Sequence, residues 1–253
     1  MSKAAQPLLS VVTVTFQDTP GLRRTLTSLK KLANDCQGEA EFIVVDGGDG
    51  GTLESLAFEF PWASIRSEPD SGIYDGMNKG ITRSRGSFVW FLNGGDQCEV
   101  DWADLANELS RDASQIVLCA YSLQIGSRVR MKRPRPSTYI WHALPTSHQA
   151  IFFPGDGARA SPYDLRFKMS ADYQFTAQML ANGRTARRSQ LVAARFHMGG
   201  HSFQHAERVA IEAEVVQREV LSSPTVLRLV SRARHWASRT VRRVQAHVWS
   251  ART

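Results

Sequence analysis

The sequence has few cysteines, no long apolar run and, over its last stretch, no acid. Three cysteines in 253 residues, Cys36, Cys98 and Cys119, are scattered and odd in number. That excludes a disulfide framework or a cysteine metal knuckle and reads as reduced thiols in a cytoplasmic protein. No stretch approaches the roughly 20 apolar residues of a spanning helix, so any membrane contact is expected to be peripheral. Residues 1–7 are short and polar and the next apolar run is strand-like, so no secretory signal is expected. A P-loop pattern is missing. Gly48-Asp49-Gly50 begins a GxG, but Leu53 takes the third position and the cluster follows the second strand pattern, which excludes a dinucleotide fingerprint. Internal repeats and low-complexity segments are also absent.

What is present is unevenly charged. Lys and Arg total 31 and Asp and Glu 24, for a formal net charge of +7. From Val220 to Thr253 there are seven arginines (Arg228, Arg232, Arg234, Arg239, Arg242, Arg243, Arg252) and no acid, so the preceding residues are formally neutral. A uniformly basic nucleic-acid coat is excluded; a neutral body with a basic terminal device remains.

Hydrophobic content of 42% and charged content of 22% suit a globular chain with a sizeable core. Leu8–Phe16, Glu41–Asp46, Ala63–Ser67 and Ser87–Leu92 read as strands, the first two almost continuously apolar, as strands covered on both faces are. Helical patterns follow from Thr19, from Thr52 and over Ile73–Ser84. This alternation predicts an α/β fold with a doubly wound, mostly parallel central sheet and helices on both faces. Further on, Gln115–Tyr121, Ser127–Lys132 and Gln149–Phe153 read as strands. Ser170–Asn182 reads as a helix with Ser170 as N-cap, and Ala206–Val220 as an amphipathic helix. The expected division is 1–100, 101–205 and 206–253, the last being C-terminal helices.

Ligands of an open parallel sheet collect at the carboxyl ends of its strands. Four strand ends here carry polar or glycine-rich clusters: Thr15-Phe16-Gln17, Asp46 to Asp49, Glu68 to Gly72, and Asn93-Gly94-Gly95-Asp96. Any one alone is an ordinary turn. Four in succession, with carboxylates that repel unless a cation or ligand separates them, point to a site.

The blocks SVVTVTF, FIVVDGGDGGT, SEPDSGIYDGMNKGI and FVWFLNGGD resemble those of family 2 glycosyltransferases of the GT-A fold, nearest to bacterial enzymes building capsule, exopolysaccharide, colanic acid or lipopolysaccharide. The likeness is strong over Leu8–Asp96. It extends more weakly through Ser147–Ala150, Ser170–Tyr173 and Gly199–Ser202. It implies inverting transfer of a sugar from a nucleotide-diphosphate donor, UDP-sugar by family frequency, to a hydroxyl acceptor, here a glycan or lipid-linked glycan. The resemblance implies that Thr15, Phe16 and Asp46 line the base pocket and that Asp70, Asn78, Lys79 and Asn93 serve the donor. Asp96 matches the acid ending the family's metal motif, whose first acid is replaced by Gly94, and would hold Mg²⁺ or Mn²⁺ with diphosphate and water. Asp172 matches the general base. His148 and His197 are secondary candidates, and the spacing leaves the role of Asp49 open.

Two basic features lie outside those blocks. Arg128–Arg135 holds five basic residues in eight, either to attract a diphosphate-linked acceptor or to guard a sheet edge; Trp141 beyond it is a stacking candidate for an acceptor sugar. On a helical wheel, Val226, Leu229, Val230, Ala233, Trp236, Ala237, Val241, Val244 and Val248 share one arc, and Arg228, Arg232, His235, Arg239, Arg242 and Arg243 the opposite one. Such a helix lies in a membrane interface, or docks on its own domain or on another subunit. The rival functional readings are a non-catalytic nucleotide or glycan binder and a basic-tailed nucleic-acid binder.

Overall fold

The computed structural model describes residues 6–48, 53–197 and 205–250; the side chains of Glu54, His197, Ala206 and residues 238–250 fall outside the description. The start of the second helix at Thr52, Asp49 and Gly199–Ser202 also lie outside it.

Strand β1 (Leu9–Thr15) is buried along its whole length. It runs parallel to both β2 (Ala40–Asp46) and β4 (Phe88–Phe91), and β3 (Ala63–Ser67) adds parallel to β2. Alternate side chains of β1 enter different cores. Val12 and Val14 join Met77, Ile81, Phe91 and Phe153, whereas Leu9 and Val11 join Leu29, Leu32, Trp90 and Leu105. With both faces covered, the strand is mostly apolar with no polar alternation, and its buried polar positions are the small Ser10, Thr13 and Thr15. Helices α1 (Thr19–Asp35) and α4 (Trp102–Leu109) cover one face; α3 (Ile73–Arg83) and α6 (Ala171–Ala181) cover the other. The short α2 (Leu53–Glu59) packs with α1 through Leu22, Leu26, Leu53 and Leu56. Trp90 is core, fully buried, with its indole N–H donating to the Gln149 carbonyl at 2.8 Å.

The sheet continues in mixed fashion: β8 (Ile151–Pro154) is antiparallel to β4, β6 (Ile116–Ile125) antiparallel to β8, and β9 (Ala186–His197) parallel to β6. The two-residue β5 (Gln97–Cys98) closes one edge on β9, β7 (Arg128–Lys132) pairs with β6, and α5 (Gly155–Ala160) follows β8. Strand β9, helix α4, β5 and α5 were not apparent in the sequence. Arginines interrupt β9, and the two that are partly buried, Arg187 and Arg195, have distant partners. Arg187 meets Glu108 at 3.0 Å and the Glu108 carbonyl at 2.6 Å, and Arg195 pairs with Glu99.

The C-terminal helices α7 (Ala206–Glu219) and α8 (Thr225–Ser250) form a hairpin. Over the first part of α8, residues 225–237, the side chains that pack inward are Arg228, Ser231 and His235, on the polar side of the wheel. Ser231 is buried; its hydroxyl lies 2.8 Å from His142 Nδ1 and accepts from Gln217 Nε2 at 2.8 Å. The His142 and His235 rings stand 4.5 Å apart. The apolar arc faces outward, with Val226 70%, Leu229 58% and Trp236 63% exposed.

One glycine fixes how closely α3 approaches the sheet. A β-carbon on Gly80 would collide with Val12 Cγ1. Gly80→Ala is expected to lower the unfolding free energy by about 1–3 kcal/mol despite its better helix propensity, because overpacking forces buried neighbours off their rotamers. Urea denaturation measures this, and in the Val12→Ala background the same change should cost clearly less.

Candidate active site

The ends of β1, β2 and β4 meet at one edge of the sheet. Thr15 lies in register with Asp46, and Asp46 with Ser67. The Gly47 N–H donates to the Thr15 carbonyl at 2.9 Å, and the Gly94 N–H to the Val14 carbonyl at 2.9 Å. The buried Asp46 carboxylate accepts from Ser67 Oγ at 2.9 Å. Asp70 accepts from the Gly72 N–H at 2.9 Å, and its Oδ2 sits over Gly47, where a β-carbon could not fit. Phe16 projects with 63% of its surface exposed. Thr15 Oγ1 and Asn93 Oδ1 are buried with no hydrogen-bond partner among the described residues. Buried polar atoms are ordinarily satisfied, so two orphans at one strand edge mark where a ligand's polar groups belong.

The Asn93–Asp96 turn is held from α1. Thr25 is fully buried; its hydroxyl sits 2.7 Å from the Asp96 carbonyl and accepts from the Gly95 N–H at 2.9 Å. Gly95 adopts φ +98°, which only glycine takes cheaply. The result tucks the Asp96 carboxyl into protein. Burial pushes its pKa up to about 7, against a lowering hydrogen bond from Gln149. A carboxyl so desolvated lacks a compensating positive charge, and a divalent cation would supply it. Among the described residues no group of three or more His, Cys, Asp or Glu forms a metal cage. The fit is therefore to a cation held by one protein carboxylate, with ligand and water oxygens completing its shell.

Asp172 stands in the first turn of α6. Its Oδ1 accepts from the Tyr173 N–H at 2.8 Å and the Tyr74 hydroxyl at 3.3 Å. Its surface is only partly covered, but protein atoms crowd the carboxyl, and this desolvation outweighs both bonds, raising its pKa to about 6. Ser170 occupies the N-cap position but makes no side-chain cap bond. The cap comes from α7 instead: the buried Glu212 carboxylate accepts from the N–H groups of Lys168 at 3.1 Å and of Met169 and Ser170 at 2.9 Å each, with Arg208 Nε 3.0 Å away.

Other residues singled out in the sequence are engaged elsewhere. Asn78 spends its amide on the Tyr163 backbone, donating to the carbonyl at 3.0 Å and accepting from the N–H at 2.8 Å, so it braces rather than reaches the cleft. Lys79 pairs with Asp75 at 3.7 Å and donates to the Pro69 carbonyl, tying α3 to the loop before it. His148 is buried, stacked on Phe91 and 2.6 Å from the Tyr163 hydroxyl; burial drops its pKa to about 3, so it is a neutral core residue. His197 ends β9 opposite Gln124, its side chain outside the description. Thr25, Tyr74, Gln149 and Glu212 went unmarked as site residues in the sequence. Tyr74 stood inside the third block and Gln149 inside the weaker Ser147–Ala150 segment; Thr25 and Glu212 carried no signal beyond helix periodicity.

Thr25→Val, which keeps shape but removes the hydroxyl, is expected to lower the unfolding free energy by about 1–3 kcal/mol because the Asp96 carbonyl loses its donor and the Gly95 N–H keeps only the Gly21 carbonyl, at 3.1 Å. Thr25→Ser should lie near wild type in the same denaturation experiment.

Residues 10–172 match the family described as Glycosyl transferase family 2. An uncharacterized glycosyltransferase of Mycobacterium tuberculosis is 33% identical over 178 residues, 67% of each chain. A PGL/p-HBAD biosynthesis glycosyltransferase of Mycobacterium bovis is 27% identical over 246 residues, 89% of each chain. Among solved structures, S. aureus TarS in complex with UDP superposes with a TM-score of 0.63 at 16% identity, over 84% of this chain and 70% of that one. A mannosyltransferase from Pyrobaculum calidifontis in complex with GDP-Man and Mn²⁺ gives 0.66 at 15% identity, over 92% and 70%. These two likenesses concern the fold. With its alternating strands, polar carboxyl edge and family match, this chain is a family 2 glycosyltransferase of the GT-A fold.

Proposed function

We propose that the chain moves a sugar from a nucleotide-diphosphate donor, most simply a UDP-sugar, to a hydroxyl of a surface-glycan acceptor with inversion. The observation that carries this reading is the Asp172 carboxyl: desolvated, anchored through Oδ1 alone, and poised with a pKa of about 6. A first-turn acid is ordinarily made less basic by the helix dipole; burial offsets that and makes the group a serviceable base near neutrality. The acceptor oxygen attacks the anomeric carbon while Asp172 takes its proton. The bond from that carbon to the diphosphate oxygen breaks, and its electron pair leaves with the nucleotide diphosphate.

Thr15, Phe16 and Asp46 receive the base and ribose, with the orphaned Thr15 and Asn93 oxygens as natural donor contacts. Asp70, over the Gly47 backbone, serves the donor ribose or sugar. Asp96 would hold Mg²⁺ or Mn²⁺, which when bound offsets the charge developing on the diphosphate. UDP and GDP-Man in the solved relatives support a nucleotide-sugar donor. The division of labour follows the expected boundaries: a donor half over 1–100, an acceptor and base half over 101–205, and anchoring helices over 206–253.

The enzyme is proposed to work peripherally, at the inner face of the cytoplasmic membrane. No helix among the described residues is long and apolar enough to cross a membrane. Helix α8 supports the interfacial reading because its polar side is spent on α7 and His142 while its apolar stripe faces out among arginines.

Asp172→Asn should cut turnover about a hundredfold or more while leaving donor binding in place. The sign of the stability change separates chemistry from folding. Because the folded-state pKa is raised, the folded protein holds a proton between about pH 4 and 6 that the unfolded chain has lost, so ionised Asp172 costs stability above about pH 6. Asp172→Asn should therefore unfold no earlier than wild type at pH 8. Turnover should rise with pH through about 6 as the base ionises, and Tyr74→Phe, which removes a bond to the ionised form, should move that limb to higher pH.

For the metal, UDP should raise the melting temperature more with Mn²⁺ than without, and Asp96→Ala should abolish the Mn²⁺ increment. For the membrane, Leu229→Ser with Trp236→Ser should weaken sedimentation with phosphatidylglycerol vesicles at least tenfold, as loss of two buried apolar side chains requires. Unchanged sedimentation would rule out the interfacial role of α8.

A further inference from the structure

Beside the acceptor half stands a cationic cluster that neither the fold nor the chemistry at Asp172 requires. Arg135, in the loop after β7, lies with its guanidinium 4.2 Å from the Tyr139 ring centroid. Arg234 of α8 lies 5.8 Å from the same ring and 5.6 Å from that of Trp141. Two segments about a hundred residues apart thus bring two like charges to one aromatic ring. Neither guanidinium has a carboxylate partner among the described residues; the ion pairs of this chain lie elsewhere. Both are exposed, but they stay close enough to His142 for their charges to bear on it.

The platform beneath them is firmly built. Residues Ser137–Trp141 form one 3₁₀ turn. The Arg135 N–H donates to the Pro145 carbonyl at 2.8 Å, and the Tyr139 N–H to the Pro136 carbonyl at 2.9 Å. The rings of Trp141 and His142 are 5.3 Å apart. The turn is also tied to the reaction centre: Tyr173, the neighbour of Asp172, donates its hydroxyl to the Ile140 carbonyl at 2.6 Å. The turn is thereby hydrogen-bonded to the helix that carries Asp172.

We propose that Arg135 and Arg234, spread over Tyr139, bind the phosphate or diphosphate group of the acceptor, and that the acceptor is accordingly a phosphate-linked amphiphile. Guanidinium forks match phosphate oxygens two at a time, and stacking on tyrosine orients them in advance. The remaining basic residues of this stretch behave differently. Arg128, Arg130 and Lys132 lie on the exposed edge strand β7, where charge guards an open edge. The proposal deepens the transferase reading and rests on it.

The test uses the full chain with its donor site filled by saturating UDP and Mn²⁺, and follows binding of geranyl diphosphate by calorimetry. Geraniol and inorganic diphosphate serve as the phosphate-free and lipid-free arms. Wild type should bind geranyl diphosphate, inorganic diphosphate should compete, and geraniol should not bind. Arg135→Ala with Arg234→Ala should weaken the affinity at least tenfold. The doubly Lys-substituted chain, which keeps charge but loses the planar fork, should fall between and shows that the fold survives. An affinity untouched by the double alanine change would overturn the proposal. So would loss of phosphatidylglycerol vesicle binding alone, since the arginines would then serve the membrane surface. UDP binding is measured first, in a separate titration of each variant, so a failure of the transferase reading shows up as no UDP binding at all, separately from a failure of the clamp.

Discussion

A single buried carboxylate, Glu212, ties the reacting end of the molecule to its C-terminal helices. It accepts from three successive backbone N–H groups, those of Lys168, Met169 and Ser170, just before α6. Two belong to the residues leading into α6 and the third to its N-cap, so the buried approach to the helix has its backbone donors satisfied from α7. Asp172 stands in the first turn of α6, bonded to Tyr74. Helix α7 also carries Gln217, whose amide reaches Ser231 of α8. Hydrogen bonds thus join α6, the Ser137–Trp141 turn and the terminal hairpin. A buried charge of this kind is tolerated only when its hydrogen bonds are complete, and here backbone donors and Arg208 complete them.

Two carboxyls, Asp96 and Asp172, are desolvated in different surroundings. Asp96 sits in a glycine turn with Gln149 as a neutral neighbour, so the charge missing from its environment is positive. Asp172 is already stabilised by a phenol and a backbone N–H and is held near neutrality by burial. The first suits a cation ligand and the second a proton acceptor. Environments that push like groups apart in this way are how one protein edge separates acid, base and metal roles.

Most of the parallel half was legible because its rule is local. A strand covered on both faces draws mostly on apolar and β-branched residues, as β1 and β4 do, and glycine and aspartate at successive strand ends are visible in the sequence alone. The parts that were not legible obey non-local rules. Strand β9 carries Arg187 and Arg195, which are partly buried against Glu108 and Glu99 elsewhere in the chain. Asn78 looked like a donor contact because it lies in the right block, but its amide is satisfied by Tyr163, 85 residues away. His148 looked available and is instead stacked on Phe91 in the core. Periodicity separated the two faces of α8 without indicating which one would face inward. Ser231, Gln217 and His142 decided that by packing polar against polar.

The sequence by itself determined the alternating α/β order, the polar strand ends, the family likeness and the concentration of arginine at the end of the chain. These follow from composition and short-range pattern, which solvent and backbone chemistry read directly. Only the tertiary structure decided that the Asp172 carboxyl is desolvated, that Glu212 binds the backbone leading into its helix, and that two distant arginines share one tyrosine. Burial and convergence are properties of where chain segments meet, and a hydrogen bond or a desolvation cost exists only once they do.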